Sequence, residues 1–112
     1  MRRSPLLTTP PYEVETAIKR LGADLRTARL RRNITLVDAA ERLGVGRDVI
    51  ADAERGKPST SIAVYAALLW SYGLVERMAV LAEPGSDEEG LRLVSLTERR
   101  HARGAQTLDD DF

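Results

Sequence analysis

The sequence predicts an all-α fold of five helices, followed by a short tail that is irregular or forms a β-strand. Three observations predict it. Apolar residues recur at helical spacing from Val14 to Leu81. Glycines fall where helices must turn or stop, at Gly44, Gly46, Gly56 and Gly73. A small residue, Ala40, sits on an apolar stripe where two helices must cross closely. With 112 residues the chain is expected to form one domain. Its core is small enough that a partner subunit would add useful burial.

Residues 1–12 read as a flexible arm. Arg2 and Arg3 are followed by Pro5, Pro10 and Pro11, which forbid a continuous helix. Such an arm is either plain disorder or a basic strap for phosphates. The first long helix is expected from Glu13 to Arg32, with Val14, Ile18, Leu21, Leu25 and Ala28 on one face. Gly22 inside it costs about 1 kcal/mol relative to Ala, which a closely neighbouring backbone would explain. Arg29, Arg31 and Arg32 crowd its C-terminal end. Cations there suit the negative end of the helix dipole, and they also suit phosphates.

Thr35 is a good N-cap for the second helix, with Asp38 as capping-box partner. Ala39, Ala40 and Leu43 form its stripe. Gly44-Val45-Gly46 makes a tight turn, with Val45 plugging the corner. The third helix starts after Gly46, buries Val49, Ile50 and Ala53, and ends at Gly56. Two short helices joined this way form a helix-turn-helix, in which the second helix can enter a DNA major groove. An ordinary helical hairpin shares the pattern.

The fourth helix is expected from Ser61 to Tyr72, capped by Thr60 or Ser61, with Ile62, Tyr65, Ala66, Leu69 and Tyr72 as its core stripe. Trp70 lies at the stripe's edge, either packed in the core or acting as an interface anchor. Gly73 ends this helix. A fifth follows from Val75 to Ala82, with Val75, Met78 and Leu81 on one side. Residues 13–83 thus form the helical domain. Pro84-Gly85-Ser86 breaks it and opens a tail over residues 84–112. Ser86 with Glu89 can cap a short turn. Leu91 to Leu96 reads as a strand or an irregular lid, because six residues do not settle periodicity. Residues 103–112 read as flexible.

Net charge is zero, yet unevenly spread. Residues 17–57 carry ten basic and six acidic side chains, a surplus of +4. Residues 83–112 carry four basic and eight acidic ones, a balance of −4. Basic charge near DNA supplies affinity through counterion release. An acidic tail meets a protein partner or nothing. Cysteine is absent, which excludes a disulfide framework and a thiolate metal site. No apolar run reaches the roughly 20 residues of a membrane span. Met1-Arg2-Arg3 leads into no apolar signal region, so a cytoplasmic chain is expected. His101 stands alone, and no phosphate loop or metal spacing is visible. No enzyme activity, cofactor or metal is expected.

Ala40, Leu43-Gly44-Val45, Arg47, Ile50 and Glu54-Arg55-Gly56 resemble, without a gap, the Xre/Cro-type helix-turn-helix pattern, whose fold is lambda-repressor-like. Over residues 13–103 the chain resembles HipB-like antitoxins, through Leu21-Gly22, Leu25-Arg26, Arg29, Arg31-Arg32, Tyr65-Ala66, Leu69, Gly73-Leu74, Glu76-Arg77, Leu81-Ala82, Asp87 and Gly90-Leu91. The resemblance implies a homodimer that binds double-stranded operator DNA, represses its own operon and holds a HipA-type kinase toxin inactive. It places Arg47, Asp48, Val49 and Asp52 at the bases and Arg42, Arg55 and Lys57 at phosphates. Leu68, Trp70, Met78 and Leu93 are the expected dimer contacts. Leu108, Asp109, Asp110, Asp111 and Phe112 are the expected toxin contacts, two apolar anchors around a steering charge.

The chain departs from the pattern. Leu36 stands where a polar residue is common, and Gly46 where Ser is common. Asp52 replaces a basic or amide side chain. Leu96 to Arg103 lacks the proline such tails often carry. Asp48 and Asp52 share a helix face, where they either accept from cytosine N4 or pair with Arg47 or Arg55. They also motivate a second reading, a protein-binding inhibitor whose helix-turn-helix is only a scaffold. A third reading is a free-standing regulator with no toxin.

Overall fold

A computed structural model describes residues 4–108. Its helices are α1 (Pro5–Thr8), α2 (Tyr12–Arg31), α3 (Leu36–Leu43), α4 (Arg47–Glu54), α5 (Ile62–Ser71) and α6 (Glu88–Leu108). Two 3₁₀ segments, Val75–Val80 and Pro84–Ser86, lie between α5 and α6. No strand occurs among the described residues. The chain divides into two units, Met1–Met78 and Ala79–Phe112. The division falls before Glu83, the expected edge of the helical domain.

Local chemistry sets the boundaries. Ser4 Oγ accepts from the Leu6 amide at 3.2 Å, and Pro5 occupies the first turn of α1. Proline is favourable there, so the arm gains one helical turn before Pro10 and Pro11 end it. Thr35 and Asp38 form the predicted capping box of α3, with the Asp38 amide donating to Thr35 Oγ1 at 3.0 Å. Gly44 closes α3 in the left-handed conformation at φ 67°. Ser61 caps α5, its Oγ accepting from the Ala63 amide at 3.1 Å.

In the first unit the core gathers Leu25, Ala28, Ile34, Ala39, Ala40, Ile50, Ala53, Tyr65, Leu68 and Tyr72. α4 lies at its centre and packs on α2, α3 and α5. Ile50 and Ala53 are completely buried. Leu36 packs half-buried against this core, which explains an apolar residue at that position. Leu68 is only 1 % exposed and is a core residue. That removes it from the expected dimer contacts, because its side chain is already spent inside the protomer. Burial pushes the Tyr72 phenol above its ordinary range, and its hydroxyl has no hydrogen-bond partner among the described residues.

α2 meets the end of α4 backbone to backbone. A Cβ on Gly22 would stand 2.4 Å from the Ala53 carbonyl oxygen, and one on Gly56 would stand 2.5 Å from Lys19 Cα. Gly56 also has φ 71°, a conformation that side chains disfavour. Two turns further along α2, Arg29 forms a two-pronged ion pair with Glu54, Nε to Oε2 at 2.6 Å and Nη2 to Oε1 at 3.0 Å. Arg29 Nη1 donates to the Ile34 carbonyl at 2.8 Å. Both side chains of the pair are more than nine-tenths buried. Bonding to Glu54 raises the Arg29 pKa, against the opposing effect of burial. Removing one partner from such a pair typically costs about 3–5 kcal/mol. The expectation that Arg29 caps the helix dipole or touches phosphate is thereby corrected. Arg32 also turns inward, donating to the Tyr72 carbonyl at 3.1 Å and lying 5.4 Å over the Tyr72 ring.

The second unit overturns the predicted tail. Residues after Asp87 form a helix rather than a strand or irregular lid. Asp87 starts it: its Oδ1 accepts from the Gly90 amide at 3.0 Å, and its carbonyl accepts from Leu91 N at 3.0 Å. Ser86 is not the cap, because its hydroxyl donates to Glu83 Oε2 at 2.7 Å. That hydroxyl, with the Gly85 amide, holds the Glu83 carboxyl below its usual range. The expected fifth helix is a 3₁₀ segment instead, ending at Val80.

Gly22→Ala tests the crossing. On an open helix face the change would stabilise by about 1 kcal/mol. Here the new methyl must push α2 off α4, and a net loss of about 1–3 kcal/mol is expected from overpacking. Thermal unfolding measures it, and a raised midpoint would show that the crossing yields freely.

Candidate nucleic-acid interface

The turn between α3 and α4 presents the start of α4 outward. Gly46 caps it in extended conformation without a side-chain bond, and its carbonyl accepts from Val49 N at 3.0 Å. Ile50, Ala53 and Glu54 face inward, Arg47 and Asp48 are exposed in the first turn, and Val49 and Asp52 lie half-buried at the rim. An amphipathic helix seated in this way offers a ridge of alternating chemistry to solvent.

Two shallow grooves flank this ridge. One is lined by Arg47 together with Asn33, Thr35, Leu36 and Val37. The other is lined by Val49, Asp52, Lys57, Ser59, Thr60 and Ser61. Of the expected base-contact residues, Arg47 lines the first groove, Val49 and Asp52 line the second, and Asp48 lines neither. Ser59 and Thr60 were missed by the sequence reading. Their hydroxyls lie in the loop that leads to the Ser61 cap, and a run of Ser and Thr before a helix was read only as capping.

Asp52 binds two of the expected phosphate contacts. Its Oδ1 accepts from Arg55 Nη2, and its Oδ2 accepts from Lys57 Nζ at 3.4 Å. The Asp52 side chain is 25 % exposed, while those of Arg55 and Lys57 remain more than half exposed. Solvent screens such pairs, so they contribute little to stability. Their effect is on the local field: one carboxylate offsets part of two cations. Arg42 is exposed on α3 and belongs to neither groove. Trp70 is 66 % exposed on α5, and Met78 is half-buried. Leu93 belongs to the second unit. The side chain of Leu108, and Asp109, Asp110, Asp111 and Phe112, lie outside the described residues, as do Arg2 and Arg3. Among the described residues no group of His, Cys, Asp or Glu is arranged to hold a metal ion, and no helix is long and apolar enough to cross a membrane.

Two helices crossing at a glycine turn, the second buried on one side and presenting Arg47 at its exposed start, define the helix-turn-helix class. The model of the family described as "Helix-turn-helix domain" matches residues 20–81, and the chain belongs to that family. No curated protein and no solved structure matches it. The matched segment covers α3, α4 and α5 and most of α2, together with both sides of the Gly22–Gly56 crossing.

Asp52→Asn should release Arg55 and Lys57 without changing shape. Affinity for random-sequence duplex is expected to rise, and its dependence on salt to steepen by roughly one to two phosphate contacts. Binding measured across a salt series checks this. An unchanged slope would place the Asp52 cluster away from DNA.

Proposed function

We propose that this protein is a homodimeric transcription regulator that binds operator DNA through α4, without chemistry of its own. The observation that carries the reading is Arg47, exposed at the N-terminal end of a helix that Ile50, Ala53 and Glu54 lock into the core. Recognition helices meet base edges with their first residues, and an arginine there can grip guanine O6 and N7. Val49 at the rim suits a thymine methyl. Arg42, Arg55 and Lys57 suit the flanking phosphates. A dimer would set two such helices on half-sites about one DNA turn apart.

Asp48 and Asp52 together motivate a reading in which the domain is only a scaffold for binding protein. The pairing of Asp52 with Arg55 and Lys57 gives that carboxylate an intramolecular role and, for Asp52, supports the DNA reading. Arg47→Ala is expected to weaken operator binding and to relax preference at one base pair per half-site, by about 1–3 kcal/mol. Binding to a set of operator variants tests it. An equal loss on every sequence would make Arg47 a phosphate contact instead.

The finer part of the proposal is an antitoxin and autorepressor acting in the cytoplasm on a HipA-type kinase toxin. Its support is the resemblance of residues 82–103 to HipB-like proteins, with the apolar side chains that α6 exposes. Co-purification of the full chain from its native operon is expected to retain a kinase-type protein. Recovery of the chain alone from an operon that expresses both would reduce the proposal to a regulator with no toxin.

A further inference from the structure

α6 is long, and the apolar residues of its first half are uncovered. Leu91, Leu93, Val94 and Leu96 are each between 40 and 55 % exposed. Within its own unit, among the described residues, the helix packs chiefly on the 3₁₀ turn Pro84–Ser86. A lone helix of this kind gains most of its stability from whatever covers it.

The order of side chains along one face indicates the cover. Glu89, Leu93, Leu96 and Arg100 follow one another at spacings of four, three and four residues, the rhythm of a coiled-coil seam. The seam has an acid at one end, two leucines in the middle and a base at the other end. Set antiparallel against a second α6, about a two-fold axis passing between Val94 and Ser95, it matches itself. Leu93 meets Leu96 of the second copy, and Glu89 meets Arg100 of the second copy. A parallel pair would set Glu89 on Glu89 and Arg100 on Arg100. The other apolar stripe does not self-match: about its own axis, between Arg92 and Leu93, Leu91 would meet Val94 but Asp87 would meet Glu98, acid on acid. Within the protomer Glu89 has a long contact to Arg92 at 3.8 Å, and its side chain is 74 % exposed. It is thus open to a better partner. An anionic membrane surface fits less well, because three glutamates offset the four arginines of this helix.

We propose that α6 is a dimerisation helix that pairs antiparallel with α6 of a second copy through Glu89, Leu93, Leu96 and Arg100. This assignment rests on the homodimer of the functional reading, and it names the surface that builds it. It keeps Leu93 among the dimer contacts and adds three residues that the sequence reading did not select.

The test is sedimentation equilibrium on the full chain, with circular dichroism to confirm that each variant keeps its helix content. Glu89→Arg alone and Arg100→Glu alone each put like charges face to face at both ends of the pair. Each should weaken the dimer about tenfold or more. The double variant Glu89→Arg with Arg100→Glu restores opposite charges in the antiparallel arrangement only, and should recover the dimer. It uses the same side chains as the single variants, so it separates lost pairing from lost folding. A wild-type dimer that neither single change weakens would overturn the α6 pairing while leaving the homodimer standing. A wild-type chain that stays monomeric at roughly 100 micromolar, a weak-interface concentration, would overturn both and leave α6 to a different protein. Operator binding is measured separately and stands or falls independently.

Discussion

The crossing of α2 over the end of α4 sets the rest of the first unit. Two constraints act within a short stretch of chain. Gly22 and Gly56 bring backbones so close that no Cβ fits, and Arg29 bonds Glu54 with two of its nitrogens. The first fixes distance and the second fixes rotation. A helix held by contact alone can roll about its axis. A helix whose last carboxylate is gripped by a buried guanidinium cannot roll without leaving a charge unpaired. The run Glu54-Arg55-Gly56 is therefore three jobs in sequence: an inward ion pair, an outward cation and a backbone contact.

Fixing the roll of α4 decides what faces outward. With Ile50, Ala53 and Glu54 committed to the interior, Arg47, Asp48, Asp52 and Arg55 are left at or near the surface. Function at this surface thus depends on residues that never touch a ligand. The turn at Gly44 and the capping box at Thr35 do the same for α3, so both helices of the motif start and stop at fixed points.

Much of this was legible because the signals are local. Thr35 with Asp38, Ser61 before an apolar run, and glycines with positive φ state their roles within a few residues. Gly22 announced a close neighbour by its cost, although not which neighbour. Arg29 was illegible, because a cation at a helix end is normally explained by the dipole, and its partner lies 25 residues away. Leu68 was misjudged because α5 is apolar on nearly every side, so periodicity does not say which residues point inward. α6 was missed for a related reason. Leu91 to Leu96 alternates well enough to suit a strand, and the deciding feature is Asp87, whose carboxylate caps the first turn. Of the interface, the candidate residues on α4 were legible, but their division between two grooves and the clasp of Asp52 on Arg55 and Lys57 are three-dimensional facts.

The Asp52 clasp bears on how such a protein would search a genome. Each time Arg55 or Lys57 takes a phosphate, it exchanges a bond it already has rather than making a new one. Random DNA, which offers only phosphates, gains least from that exchange. Under the proposed operator reading, a correct site would offer base contacts to Arg47 and Val49 as well and so would still gain. A regulator so arranged dwells briefly on the vast excess of wrong sequence. If α4 faces DNA as proposed, the carboxylate that looks out of place there would shorten the search by keeping the protein from lingering.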